Sequence, residues 1–130
     1  MKRIALVMLL IITLLDCKAD SWQQKANLPT GGMYASMSFS IGNKGYTGGG
    51  VNSSGFYDGF WEYDQVNNFW TQKANLGSGA KVLGIGFSIG SKGYIGLGQN
   101  NFSAPAELWE YDPPNNQWSQ KANWGGGKIE

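Results

Sequence analysis

Hydrophobic and polar positions follow two different rules along this chain. From Ile4 to Leu15 the residues form an unbroken apolar-type run, IALVMLLIITLL, directly behind Lys2 and Arg3. After residue 20 no stretch shows helical periodicity, and short aromatic or aliphatic segments alternate in part with polar residues. Over residues 34–41, Tyr34, Ser36 and Ser38 alternate with Ala35, Met37 and Phe39, and the segment stops at Gly42-Asn43-Lys44-Gly45. Alternation sends successive side chains to opposite faces of a strand. Asn and Gly tolerate the positive φ that tight hairpin turns demand. The same reasoning predicts strands over 34–41, 45–50, 60–64 and 69–74, with a loop over 51–59. It predicts a second set over 82–89, 93–98, 107–112 and 117–122.

The two sets are copies. WQQKANL from Trp22 returns as WTQKANL from Trp70 and as WSQKANW from Trp118, each time 48 residues later. FSIGNKGY (from Phe39) returns as FSIGSKGY (from Phe87), and FWEYD (from Phe60) as LWEYD (from Leu108). Residues 31–78 lie over 79–126 without a gap, and 23 of the 48 positions are identical. A fixed period of this size means one supersecondary unit copied along the chain. Four short strands joined by hairpins form an antiparallel meander that cannot cover both its faces alone. Radial stacking of such meanders into a β-propeller covers them and leaves only short edges. The predicted class is therefore all-β, with four-stranded propeller blades at 31–78 and 79–126. Residues 20–30 are expected to be the outer strand of a closing blade, and 127–130 the start of a truncated third.

Composition agrees and narrows the function. Of 130 residues 20 are Gly, with six each of Trp, Tyr and Phe, a balance suited to short strands and tight turns. The formal charge is +1 and the lysines are scattered singly, which argues against a nucleic-acid partner. The first segment is too short to span a membrane comfortably, since ~20 apolar residues are needed. It fits the apolar core of a secretory signal over residues 1–19. Export is expected, with cleavage after Ala19 and lipidation at Cys17 as the alternative; Asp16 stands where a lipoprotein signal usually has a small uncharged residue. The chain left after cleavage has 7 basic and 8 acidic residues, a net charge of −1, and no membrane span. Cys17 is the single cysteine, so no intrachain disulfide can form.

Four marks at matching spacing resemble the kelch repeat. They are an aromatic (Tyr46), a glycine cluster just after it (Gly48-Gly49-Gly50), a Tyr-Asp pair (Tyr63-Asp64), and a Trp seven positions after that Tyr (Trp70). Tyr94, Gly96, Gly98, Tyr111, Asp112 and Trp118 repeat the pattern, with Leu97 in place of the middle glycine. The resemblance covers the chain after residue 20. It implies a propeller with more blades than the two present, so the chain is expected to be an N-terminal portion that self-associates when made alone.

Chemistry is limited by what is missing. There is no histidine, which removes imidazole metal sites, Ser-His-Asp triads and Cys-His pairs. Neither a catalytic residue nor a cofactor or metal site is expected. The resemblance also admits a fragment of a galactose-oxidase-like or carbohydrate-active enzyme, although the histidines that hold copper in such enzymes are absent here. Glu62 and Glu110 recur at the repeat period, so they are expected to satisfy backbone amides or Lys44 and Lys92 rather than form an acid–base couple. Asp64 and Asp112 are expected to cap turns, and Trp22, Trp70 and Trp118 to pack between blades.

Residues that differ between the copies are the better candidates for recognition. VNSSGFYDGF (Val51 to Phe60) and QNNFSAPAEL (Gln99 to Leu108) share only Asn52 and Asn100. In a meander, alternate connections emerge on opposite ends, so this loop and the link to the next blade should fall on one rim. Loops on a rigid scaffold commonly carry recognition. Phe56, Tyr57, Asp58, Asn101 and Phe102 are therefore the candidate contacts of a non-catalytic module for a protein or carbohydrate ligand.

Overall fold

The computed structural model describes residues 21–101, 103–123 and 125. The expected signal at 1–19, Cys17, Phe102 and the start of a third blade lie outside the described residues. The strands, in chain order, are β1 (Met37–Ile41), β2 (Lys44–Gly48), β3 (Val51–Asn52), β4 (Gly55–Phe56), β5 (Phe60–Asp64), β6 (Phe69–Lys73), β7 (Ile85–Ile89), β8 (Lys92–Gly96), β9 (Leu108–Asp112) and β10 (Gln117–Gln120). They build two antiparallel four-stranded sheets, β1-β2-β5-β6 and β7-β8-β9-β10, with β3 and β4 as a separate small hairpin. Among the described residues there is no helix, hence none long and apolar enough to cross a membrane. The fold is all-β, made of propeller-type blades.

Register follows the repeat. Phe39 pairs with Tyr46 and Tyr46 with Glu62 in blade 1; Phe87 pairs with Tyr94 and Tyr94 with Glu110 in blade 2. Each turn after a Tyr-Asp pair is closed by the aspartate. Asp64 accepts the backbone N–H groups of Val66 (2.8 Å) and Asn67 (3.0 Å), and its second oxygen takes the Lys44 ammonium at 2.6 Å. These bonds, the one to Lys44 foremost, hold the Asp64 carboxyl well below the usual carboxylate range. Lys92 lies 2.7 Å from Asp112 in the second copy.

The core lies between the blades. Met37, Phe39, Tyr46 and Phe60 of blade 1 pack with Ile95 and Tyr111 of blade 2, and Leu76 of the link between the blades seals one end. Phe60 meets Tyr111 and Trp118 at ring separations of 4.9 Å, edge to face. Such aromatic pairs add about 0.5–1.5 kcal/mol beyond their burial. Trp118 thus packs against the neighbouring blade, as its recurrence suggested. Trp70, half-buried as Trp118 is, packs on Tyr63 at a ring separation of 5.0 Å with the rings tilted, and donates its indole N–H to the Ala26 carbonyl.

Two boundaries differ from expectation. The strand at 34–41 begins only at Met37, because Ala35 takes φ = 58° and turns the backbone out of the extended region. Leu83, its repeat counterpart, does the same at 57°, so β7 begins at Ile85. The loop at 51–59 is not wholly irregular: Val51 pairs with Phe56 and Asn52 with Gly55. The Asn52 side chain accepts the Ser54 N–H at 2.8 Å and closes that turn. Residues 22–28 belong to no sheet, and Trp22 is fully exposed.

Candidate functional site

The two divergent loops open on one rim. The loop of blade 1 is held at both ends: Gly50 donates to the Lys81 carbonyl (2.8 Å) and Leu76 donates to the Asp58 carbonyl (2.8 Å). The link from blade 1 to blade 2 therefore meets the divergent loop, as the meander requires. Between the β3–β4 hairpin and the loop of blade 2 lies an open groove of about 480 Å³, lined by Phe56, Gln99, Asn100, Asn101, Ser103 and Ala104.

Among the candidate contacts, Phe56 and Asn101 come together on this groove, while Phe102 lies outside the described residues. Tyr57 and Asp58 instead direct their polar atoms into the scaffold. The Tyr57 hydroxyl accepts the Trp61 indole N–H at 3.0 Å, and the Asp58 carboxylate accepts from the Asn75 amide at 3.2 Å. Gln99, Ser103 and Ala104 are lining residues that sequence reasoning did not name. The signal for Gln99 was available: it replaces the apolar Val51 of the first copy, at a position bridged to the preceding segment in both blades.

A buried ion pair beneath the rim was also missed. Lys81 is 1% exposed, and its ammonium lies 3.1 Å from a Glu107 carboxylate oxygen that also accepts the Trp109 indole N–H at 3.2 Å. In the first copy the same two positions are Met33 and Gly59. There Tyr57 supplies the acceptor for the indole, and a side chain on Gly59 would run into the Tyr57 ring. A tyrosine over a glycine in one blade and a glutamate in the other thus solve the same problem of satisfying a half-buried indole N–H. Two uncharged positions becoming a cation and an anion together was the readable sign.

The repeated acids occupy structural positions. Glu62 accepts the Tyr46 hydroxyl at 2.8 Å and lies 3.4 Å from Lys73 and 3.7 Å from Lys44. Glu110 accepts the Tyr94 hydroxyl at 2.7 Å and pairs with Lys121 at 3.0 Å. The tyrosine bond, followed by that lysine, lowers the Glu110 pKa. Among the described residues no three carboxylates or thiols gather to hold a metal ion. The groove itself presents one aromatic ring, a methyl group and uncharged amides and a hydroxyl. That set can stack on an apolar ring face and exchange hydrogen bonds with hydroxyls.

No family model matches the chain, and no curated protein does. Among solved structures the chain is similar to YjhT, a β-propeller-like protein, with a TM-score of 0.64 at 18% identity. The match covers 81% of this chain and 31% of YjhT, so the chain spans about a third of the protein it resembles. At that identity the likeness shows the fold alone, and the fold it shows is a portion of a β-propeller.

Proposed function

We propose that this chain is an exported, kelch-type propeller segment that acts as a non-catalytic binding module, taking a carbohydrate in the groove between its two divergent loops. The observation that carries this reading is the lining of that groove: Phe56 together with Gln99, Asn100, Asn101 and Ser103, with no charged side chain among the lining residues. A sugar presents an apolar C–H face and a rim of hydroxyls, which match an aromatic ring and amides that both donate and accept. Binding sites of this kind need few polar groups, provided a rigid scaffold places them. Here the β3–β4 hairpin fixes Phe56, and the bonds between Asn100 and Ser103 (2.8 and 2.9 Å) shape the opposite wall.

A glycan array probed with the folded chain tests the reading. Retention of one glycan class should fall at least roughly tenfold in Phe56→Ala and in Asn101→Ala, the effect of losing ~1.4 kcal/mol of contact. Trp22→Ala, far out in solvent, should leave it unchanged. Retention unaffected by Phe56→Ala, or binding to a protein and to no glycan, would overturn the assignment. Export is tested separately: expressed in a bacterium, the chain should leave the cytoplasm and begin at Asp20. An intact Met1 in the soluble cytoplasmic fraction would refute it, and a lipid mass on Cys17 would assign the alternative anchoring.

A further inference from the structure

The interface between the two blades has a donor side and a receiver side. Blade 1 donates Met37, Phe39 and Phe60; blade 2 receives them around Gly93, Tyr111 and Trp118. Phe39 fills the space above Gly93, where any side chain would run into its ring. Phe60 meets Tyr111 and Trp118 edge-on. Because the repeat is in register, blade 2 carries the donor residues again as Ile85, Phe87 and Leu108. Blade 1 carries the receiver again as Gly45, Tyr63 and Trp70. Neither copy packs against another blade within the described chain. Phe87 is 36% exposed against 9% for Phe39, and Ile85 49% against 2% for Met37. At Gly45 an added Cβ would meet nothing nearer than the Tyr63 Cβ at 3.8 Å.

We propose that these two faces bind each other between copies of this chain, head to tail, with Phe87 of one copy seated over Gly45 of the next. The occupant is specified by the chain's own interface, since the residues on each face are the repeat counterparts of a pair already packed. Leu108 then takes the place of Phe60 against Tyr63 and Trp70. A contact that joins different faces is heterologous, so every copy offers both ends and assembly goes beyond a dimer, to a ring or an open array.

Two features of the receiver shape the contact. Its backbone clasp is filled by Ala26, which donates to the Asn68 side chain at 2.9 Å and accepts from Trp70 at 2.8 Å. Ala74 sits the same way between Asn116 (2.9 Å) and Trp118 (3.1 Å). An incoming copy brings Ala122 at this repeat position, so docking exchanges Ala26 for Ala122 and keeps both hydrogen bonds. Ser38 replaces Gly86, whose missing side chain lets the Ser38 carbonyl approach closely. Copies therefore sit further apart along the inner strand than blades of one chain, and the contact is weaker than the intrachain one.

Sedimentation of the full chain and two variants tests this. The parent should show association that grows with concentration and passes beyond dimer. Gly45→Val closes the receiver without crowding the free chain, and Phe87→Glu charges the donor. Each should weaken association at least roughly thirtyfold, as a central interface residue does, while circular dichroism keeps the parent sheet signal. Mixing the two should restore one heterodimer, because Phe87 of the first still fits Gly45 of the second. A parent monomeric at all concentrations, variants with undiminished association, or a mixture that stays monomeric would each overturn the proposal. Ile89→Glu, on the same donor face and 64% exposed, replaces Phe87→Glu if that variant loses its sheet signal.

Discussion

Trp118 donates its indole N–H to the Ala74 carbonyl at 3.1 Å, tying the last strand of blade 2 to the exit of blade 1. The bond spans 44 residues and is closed from the other side by Asn116, whose side-chain oxygen accepts the Ala74 N–H and also the Tyr111 hydroxyl, each at 2.9 Å. Asn116 can do both because it sits at φ = 50°, a left-handed conformation that asparagine tolerates better than most residues. One repeated Asn-x-Trp thus fastens successive units through backbone and indole at once.

The two tryptophans of this clasp should differ in what they contribute. Trp118 packs on Phe60 and Tyr111, whereas among the described residues Trp70 has Tyr63 alone as an aromatic neighbour. Trp118 is half-buried like Trp70 but packs on the core cluster. Trp118→Ala should therefore cost about 3 kcal/mol, the low end of the range for a buried large aromatic, and Trp70→Ala clearly less. Trp118→Phe keeps most of the packing and loses the hydrogen bond, a change of about 1 kcal/mol. Urea unfolding of the three variants measures this order; equal losses for Trp118→Ala and Trp70→Ala would contradict it.

Leu97 stands where the first copy has Gly49. Both adopt left-handed backbone, φ = 57° for Leu97 and 67° for Gly49. For a residue with a Cβ that conformation costs roughly 1–2 kcal/mol. Leu97→Gly should therefore raise the unfolding free energy by up to about 1 kcal/mol, once lost packing and greater freedom of the unfolded chain are counted. Gly49→Ala should lower it by more, since its Cβ would crowd the Lys81 carbonyl and lie 2.9 Å from the Met37 methyl. Opposite shifts in melting temperature are the expected readout.

The repeat explains why so much of the fold was legible. Each strand was seen twice, so β2, β5, β6 and β8 to β10 fall within two residues of expectation at both ends. The starts of β1 and β7 were not legible, because Ala35 and Leu83 carry no preference for the left-handed conformation they adopt. That kink is imposed by tertiary bonds such as Leu83 N–H to the Ala35 carbonyl across the blades, at 3.1 Å. At the rim, divergence between copies pointed to the two loops that border the groove, and Phe56 and Asn101 line it. It could not separate residues that face the groove from those that brace the loop. Tyr57 differs from its counterpart Pro105 because of a local demand, the Trp61 indole, and only the packing reveals that.

Lys81 and Glu107 should behave as a coupled unit. Glu107→Gln leaves an almost fully buried ammonium without its counter-charge; the Glu107 side chain is 28% exposed, so the cost stays below the ~3 kcal/mol of breaking a fully buried pair. Replacing both with the residues of the first copy, Lys81→Met with Glu107→Gly, removes the charge problem and leaves only the Trp109 indole short of an acceptor. The double variant should therefore be more stable than Glu107→Gln alone. A double-mutant cycle with additive losses would show that the pair is not coupled.

Stability should fall at both ends of the pH scale for separable reasons. At the acid end, Asp64, Asp112 and Glu110 have carboxyls lowered in the folded state: Asp64 first by Lys44, Asp112 first by Lys92, and Glu110 first by the Tyr94 hydroxyl. A lowered folded pKa means their contribution is complete above the unfolded value of about 4 and is lost as pH falls through the folded one. At the alkaline end, burial first and then the nearby Glu62 and Asp112 push the Tyr111 phenol up to about 12. Burial, joined by the Glu62 bond, raises Tyr46 as well. Here the neutral form is favoured by folding, so stability is complete below the unfolded value of about 10 and declines as pH climbs toward the folded one. Unfolding free energies measured across pH should show a plateau from about 5 to 9. Lys44→Met should shrink the acid-side loss, because the unpaired Asp64 then titrates nearer its unfolded value. It should take from the alkaline side only the share of Lys44, whose pKa is raised first by the Asp64 bond, leaving the tyrosine part. An acid limb unchanged by Lys44→Met would show that the Lys44–Asp64 bond does not set it.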